Sequence, residues 1–164
     1  NNGMNRMIFK IPTRGLLGYR SEFMTDTKGM GMMSYVFCDY GPYAGDIINR
    51  INGVMVVKEN CTAVAYALFN LQERGKLFVG PGVPLYQGQI VGENARAADL
   101  VVNPAKGKKL TNVRASGSDD AVILTPPVEM TLEECIAYIN DDELFEVTPK
   151  SIRLRKKTGV RVRG

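Results

Sequence analysis

The residues best suited to chemistry in this sequence lie in one segment, 103–118, which carries four cations and no acid. Ammonium and guanidinium groups neutralise phosphates, while hydroxyl and amide groups donate hydrogen bonds to them. A loop of this length without regular structure is usually functional or disordered. The pattern fits either a contact with nucleic acid or a solvated surface loop, and composition alone does not decide between them. The candidate contact residues are Lys106, Lys108, Lys109, Thr111, Asn112, Arg114 and Ser116.

A second basic segment closes the chain. Residues 150–164 hold seven of the 21 Lys and Arg residues and no acid, so the net charge of +4 reflects this tail rather than a basic body. Polar and apolar residues alternate through Arg155, which predicts a strand and leaves the chain free from Lys156 onward. The possible RNA contacts are therefore Lys156, Lys157, Arg161 and Arg163. An anionic membrane as partner and an inert solubilising end are the alternatives.

Composition excludes several kinds of chemistry. The sequence has no histidine, so it lacks Ser–His and Cys–His nucleophilic pairs. Its three cysteines lie far apart, which favours reduced thiols over disulfides or a zinc site. The carboxylates of 133–146 fall in a helix cap and at a helix exit, where a solvated face is the better interpretation. We expect no cofactor and no metal, and an enzyme that uses lysine or carboxylate groups is the least favoured alternative.

The chain contains no candidate membrane span. Its longest apolar run is Ala63–Phe69, far below the roughly 20 residues that a spanning helix needs. Residues 1–3 carry no signal-peptide pattern. We therefore expect a cytoplasmic protein.

Apolar periodicity predicts an α+β fold in two units. The first unit, residues 1–43, reads as a partial β-α-β segment, and the glycine-rich stretch 41–45 marks its boundary. Its predicted elements are a strand at Met7–Ile11 stopped by Pro12, a helix capped by Thr13 and closed by Gly29, and a strand at Met32–Tyr40.

The second unit, residues 44–164, is predicted to be mainly β with one or two helices. Thr131 and Glu134 form a capping box, and the apolar spacing that follows predicts a helix at 131–139. Residues 63–74 fit either a helix or a buried strand, and their composition favours the helix. The predicted strands are 51–57, 85–94, 100–103, 122–125, 144–148 and 151–155.

Four separated motifs resemble, in order, the C-terminal half of the BipA or TypA family of bacterial translational GTPases. These motifs are IPTRGLLGYRSEF at 11–23, LQERGKLF at 71–78, YQGQIVG at 86–92 and GKKLTNVRASG at 107–117. The resemblance covers essentially the whole chain.

The resemblance implies that the first unit ends a ferredoxin-like domain similar to domain V of elongation factor G, and that residues 44–164 form the C-terminal domain of the family. GTP and Mg²⁺ would bind in an N-terminal domain outside these residues. In the family, the factor binds the ribosome near the A site and is linked to large-subunit assembly and stress adaptation. A loop matching 106–116 lies against large-subunit rRNA and the acceptor end of the A-site tRNA.

Two expectations about partners follow. The resemblance implies a module that binds rRNA and tRNA without chemistry of its own. A protein-interaction module that docks through an exposed sheet edge or the 131–139 helix is the alternative. In a ferredoxin-like sheet, the strands predicted at 7–11 and 32–40 are separated by another strand, which this sequence lacks. We therefore predict exposed strand edges that invite self-association, unless a preceding part of the protein covers them.

Overall fold

The computed structural model describes residues 3, 5–45, 50–106 and 123–159. These residues form three α-helices, a mixed six-stranded sheet and a separate two-stranded ribbon, which confirms the predicted α+β class. The helices are α1 (Tyr19–Asp26), α2 (Ala65–Gln72) and α3 (Leu132–Tyr138). The strands are β1 (Val54–Val57), β2 (Cys61–Thr62), β3 (Gly75–Leu77), β4 (Pro84–Leu85), β5 (Gln89–Asn94), β6 (Leu100–Val102), β7 (Glu143–Val147) and β8 (Ile152–Lys156).

The large sheet has the order β6-β1-β5-β8-β7, and β3 also pairs with β5. Only β1 and β6 run parallel among these pairs. Every residue of β1 is buried, because this strand lies inside the sheet and both of its faces are covered. Val54 and Val56 pack into one apolar cluster, whereas Met55 and Val57 pack into the other.

Helices α2 and α3 of the second unit cover opposite faces of this sheet. Leu68 of α2 packs into the cluster that contains Met55, and Cys135 of α3 packs into the cluster that contains Val54. Complete burial of a leucine side chain such as that of Leu68 contributes about 1.5–3 kcal/mol to the free energy of unfolding. The structure therefore confirms the helices predicted within 63–74 and 131–139, and it shows a helix–sheet–helix arrangement around β1. No described helix is long and apolar enough to cross a membrane.

A bulge at Val91 keeps both faces of the sheet apolar. Met55 pairs with Gly92, whereas Val56 pairs with Ile90, so β5 carries one extra residue at this point. Next to the bulge, β3 approaches closely: a Cβ on Gly92 would lie 2.5 Å from the carbonyl oxygen of Lys76. Glycine is therefore required there by the close approach of two backbones.

Several predicted strands differ from those observed. The strand predicted at 85–94 is two strands, β4 and β5, separated by a turn in which Gly88 has a φ of 85°. The short strands β2 and β3 were not predicted, because each has too few residues to show a period of two. The strand predicted at 122–125 is wrong for its described residues, 123–125, which pair with no other strand.

The first unit departs most from prediction. The described residues of 7–11 and 32–40 form no strand, although both stretches have the expected apolar pattern. Apart from Met33, which is half-buried, their residues are exposed, with Ile8 81% and Val36 88% accessible. A strand needs the hydrogen bonds of a neighbouring strand, and here the two stretches are joined by the ion pair between Lys10 and Asp39, 2.9 Å apart.

The helix of the first unit also begins later than predicted. Thr13 caps no helix; it opens a single 3₁₀ turn over Thr13–Leu16, and α1 starts after Gly18. Gly18 has a φ of 73°, and a Cβ there would lie 2.6 Å from the Cβ of Ala137 in α3. The conformation and the close approach together explain why glycine precedes α1.

The capping box of α3 forms as predicted. The Thr131 amide donates to the Glu134 carboxylate at 2.8 Å, and the Glu134 amide donates to the Thr131 hydroxyl at 3.3 Å. The hydrogen bond from the Thr131 amide lowers the pKa of Glu134 below its ordinary value, because it stabilises the carboxylate form.

We expect Thr131→Ala to lower the free energy of unfolding by about 1 kcal/mol at neutral pH, because it removes the cap. Urea denaturation measures this difference.

The carboxylate of Glu134 gives a second, pH-dependent prediction. Since the pKa of Glu134 is lowered in the folded chain, the stability that its carboxylate contributes is present above its ordinary pKa. This contribution is lost as the pH falls through the lowered value. Urea denaturation should therefore separate Glu134→Gln from the original chain at neutral pH but not in strong acid. Glu133→Gln, one residue earlier and exposed, is the control. A difference that does not vary with pH would contradict this account.

Candidate nucleic-acid interface

The basic loop leaves the sheet at a fixed turn. After β6, the side chain of Asn103 donates to Glu59 at 2.7 Å and accepts from the amide of Ala105 at 3.0 Å. The carbonyl of Pro104 accepts from the amide of Val64 at 3.0 Å, just before α2 begins. The chain is therefore held against the N-terminal end of α2 immediately before the loop.

The return of the loop is held at the other end of the same helix. The side-chain amide of Gln72, the last residue of α2, donates to the carbonyl of Ile123 at 3.1 Å and accepts from the amide of Thr125 at 3.0 Å. Leu124, between these two contacts, packs against the core cluster on this face. Both ends of the loop are thus attached to α2, which spans about 12 Å along its axis.

Among the seven predicted loop contacts, Lys106 lies within the described residues. It is exposed, and no carboxylate of the described residues forms an ion pair with it. The cation at the start of the loop is therefore available to an external anion. The other six, Lys108, Lys109, Thr111, Asn112, Arg114 and Ser116, lie outside the described residues.

The expectation that the chain is free from Lys156 onward is wrong at Lys156 itself. This residue ends β8, is 6% accessible, and lies within reach of three carboxylates. Its Nζ is 2.7 Å from Asp99, 2.8 Å from Asp142 and 2.9 Å from Glu143. Lys156 is therefore a buried structural cation and is not available to RNA. Lys157 is exposed, and Arg161 and Arg163 lie outside the described residues.

A second cation, Arg50, completes this buried cluster. Two of its guanidinium nitrogens donate to the Glu143 carboxylate at 2.6 and 3.0 Å, and the guanidinium lies 4.5 Å from the ring centroid of Tyr138. The Glu143 side chain has no solvent exposure. The interpretation of Glu143 as part of a solvated face is therefore wrong, because the carboxylate lies between two buried cations.

Electrostatics keep the cluster charged. Burial alone would lower the pKa of Lys156, but hydrogen bonds to Asp142, Asp99 and Glu143 outweigh it and raise the pKa above its ordinary value. Burial likewise acts to lower the pKa of Arg50, but its interactions with Glu143 and Tyr138 together raise that pKa above its ordinary value. Both cations therefore stay protonated at neutral pH.

Sequence reasoning missed this cluster, although one signal was present. Ile152 and Leu154 face inward, and a period of two places Lys156 on the same face. In the β7–β8 pair, Lys156 is directly opposite Glu143. Arg50 carries no comparable signal, since its contact with Glu143 spans 93 positions along the chain.

Two further features of the described residues concern metal ligands and the thiol of Cys135. Within these ranges, no group of Cys, Asp and Glu side chains is arranged to hold a metal ion. Cys135 is buried, and burial raises the pKa of its thiol, which disfavours the reactive thiolate.

The comparisons with known proteins agree with the order of the motifs. The TypA/BipA C-terminal domain family matches residues 52–161, and the elongation factor G C-terminus matches residues 1–51. This chain belongs to the TypA/BipA C-terminal domain family. The domain boundary predicted between residues 43 and 44 stays a prediction.

Three relatives illustrate the degree of similarity, and each is named large ribosomal subunit assembly factor BipA. The protein from Escherichia coli strain K12 is 53% identical over 156 residues, which cover 94% of this chain and 26% of the relative. The Buchnera aphidicola protein is 54% identical over 153 residues (93% and 25%), and the Haemophilus influenzae protein is 51% identical over 156 residues (94% and 25%). The chain thus spans about a quarter of the length of these relatives.

The neighbouring residues Lys156 and Lys157 allow a matched test of the buried cluster. We expect Lys156→Ala to lower the free energy of unfolding by about 3 kcal/mol or more, because it leaves buried carboxylates uncompensated. Lys157→Ala removes the same charge from an exposed position and should change stability by less than about 0.5 kcal/mol. Urea denaturation followed by circular dichroism measures both. Equal effects of the two substitutions would contradict the assignment.

Proposed function

We propose that this chain is the ribosome-contacting, C-terminal part of a translational GTPase that acts in assembly of the large ribosomal subunit and in stress adaptation. Its partners would be large-subunit rRNA and the acceptor end of the A-site tRNA. The name of the relatives supports the ribosome as partner, and the acid-free loop supports RNA as the molecule contacted.

The single observation that carries the proposal is the combination of charge and attachment in the basic loop. Residues 103–118 hold four cations and no acid, and the described residues on both sides of the loop are bonded to α2. A loop whose ends are fixed loses less conformational entropy on binding than a free tail does. Its cations would thus meet phosphates at a modest entropic cost.

Each residue type has a separate role in this proposal. Lys106, Lys108, Lys109 and Arg114 would neutralise phosphates, and Thr111, Asn112 and Ser116 would donate neutral hydrogen bonds. Lys157, Arg161 and Arg163 would extend the basic surface, without Lys156. The chain would need no cofactor, and GTP hydrolysis with Mg²⁺ would belong to another part of the whole protein. The cytoplasm is the matching location.

Salt dependence tests the RNA contact. If about five phosphates are neutralised, the logarithm of ribosome affinity should fall by roughly 3 to 4 for each tenfold rise in salt. The triple substitution of Lys106, Lys108 and Lys109 by alanine should weaken binding and flatten this slope while the fold is retained. Co-sedimentation with ribosomes at several salt concentrations measures both effects.

The control is a triple alanine variant at exposed cations away from the loop, Arg20, Lys76 and Lys150. It changes the net charge by the same amount and should leave the slope nearly unchanged. If the control and the loop variant behave alike, the binding depends on net charge, and the proposed loop contact is wrong.

A second candidate function, association through the first unit, is favoured by its exposed apolar residues. Phe9, Val36, Phe37 and Tyr40 are 71–94% accessible in stretches that lack strand neighbours. Stretches of this kind pair readily with another chain.

Gel filtration tests this association. We expect the isolated chain to elute as a dimer or larger species whose size depends on concentration. The double substitution Phe9→Lys and Val36→Lys should shift the chain toward the monomer. A monomer at every concentration would contradict self-association.

A further inference from the structure

A groove of about 460 Å³ lies between α2 and β6. Residues 67–74 form one wall, residues 100–103 form the other, and Lys106 lies at one end. Among the described residues that line the groove, Lys106 is the one to which RNA contact is assigned.

The sheet side of this groove is an unpaired strand edge. Among the described strands, β6 pairs only with β1, in parallel register with Val56 opposite Val101. The amide of Lys58 donates to the carbonyl of Val102, so the polar groups of Val102 point toward β1. Because alternate residues of a parallel strand direct their polar groups to opposite sides, the N–H and C=O of Val101 point outward.

These outward groups have no hydrogen-bond partner among the described residues. They form one donor and one acceptor on the same residue, which is the arrangement that an added strand pairs with. Apolar side chains of Ala67, Leu71 and Leu100 line the same groove. An added strand would therefore gain both backbone hydrogen bonds and burial of every second side chain.

The groove favours a peptide over a nucleic-acid strand. No aromatic ring of the described residues lines it, so bases would find no surface on which to stack. The side-chain amide groups of Asn70 and Asn103 already donate within the protein, to Tyr66 and Glu59. The outward N–H and C=O of Val101 therefore add backbone recognition to this groove, and backbone recognition selects an extended peptide.

The charge of the groove lining indicates the charge of the peptide that it would bind. The charged residues that line the groove are Glu73, Arg74 and Lys106, so the lining carries one net positive charge. Lys106 is exposed and has no ion-pair partner among the described residues. The net attraction is therefore for an acidic side chain near Lys106.

We propose that this groove binds an extended acidic segment of a partner protein, which adds as a strand to the outer edge of β6. The backbone of the segment pairs with Val101, its apolar side chains face α2, and an acidic residue meets Lys106. The surface is separate from the stretches proposed above for self-association.

The test uses the full chain and a fluorescein-labelled peptide of alternating valine and glutamate. Fluorescence anisotropy gives its affinity, and amide chemical shifts map its position. We expect saturable binding with shifts at Val101 and along α2. An otherwise identical peptide that is N-methylated on the residues facing β6 should bind at least about five-fold more weakly, because it cannot donate to the strand edge. Replacing glutamate by lysine in the peptide should also weaken binding.

Two variants test the protein side. Val101→Pro removes the outward N–H without touching the bonds to β1 and should weaken binding about five-fold. Lys106→Glu should weaken it further, whereas Lys150→Glu should not, because Lys150 is an exposed cation that does not line the groove. If Val101→Pro unfolds, the N-methylated peptide still decides. Any of four results would overturn the proposal. The peptide could show no saturable binding, or its chemical-shift changes could be confined to other surfaces. The methylated peptide could bind equally well, or an oligouridylate could bind more tightly at the same amides.

Discussion

The buried cluster of Arg50, Glu143 and Lys156 is the constraint on which the second unit depends. Charges removed from water are tolerated only when they are compensated at close range. Here the Nζ of Lys156 lies within 3 Å of the carboxylates of Asp99, Asp142 and Glu143. The guanidinium of Arg50 lies 2.6 Å from the carboxylate of Glu143. The residues come from four separate parts of the chain, so compensation requires all four parts to be in place together.

This requirement reaches the candidate interface through β6. Asp99, which pairs with Lys156, also accepts a hydrogen bond from the amide of Val54 at 2.9 Å. It therefore fixes the start of β6 relative to both β1 and β8. Strand β6 ends at Val102, and the turn at Asn103, where the basic loop begins, follows directly. The position of the turn at Asn103 thus follows from an ion cluster at the opposite end of a short strand.

The first unit shows the opposite situation. The stretches 7–11 and 32–40 have apolar patterns as clear as that of β1, yet their described residues remain exposed and form no strand. The difference is the presence of neighbours: β1 has a strand on each side and a helix over each face, whereas no strand of the described residues pairs with these stretches. An apolar pattern specifies a strand only where other strands complete its hydrogen bonds.

Local signals were sufficient for part of this protein. The sequence alone identified the capping box and helix α3, the helical nature of α2, the acid-free loop and the family, because each depends on residues that are close together along the chain. The tertiary structure decided what depends on distant residues. It showed that Lys156 is buried while Lys157 is exposed, and that Glu143 pairs with Arg50. It also decided which apolar stretches became strands, since pairing and charge compensation require partners that sequence proximity does not specify.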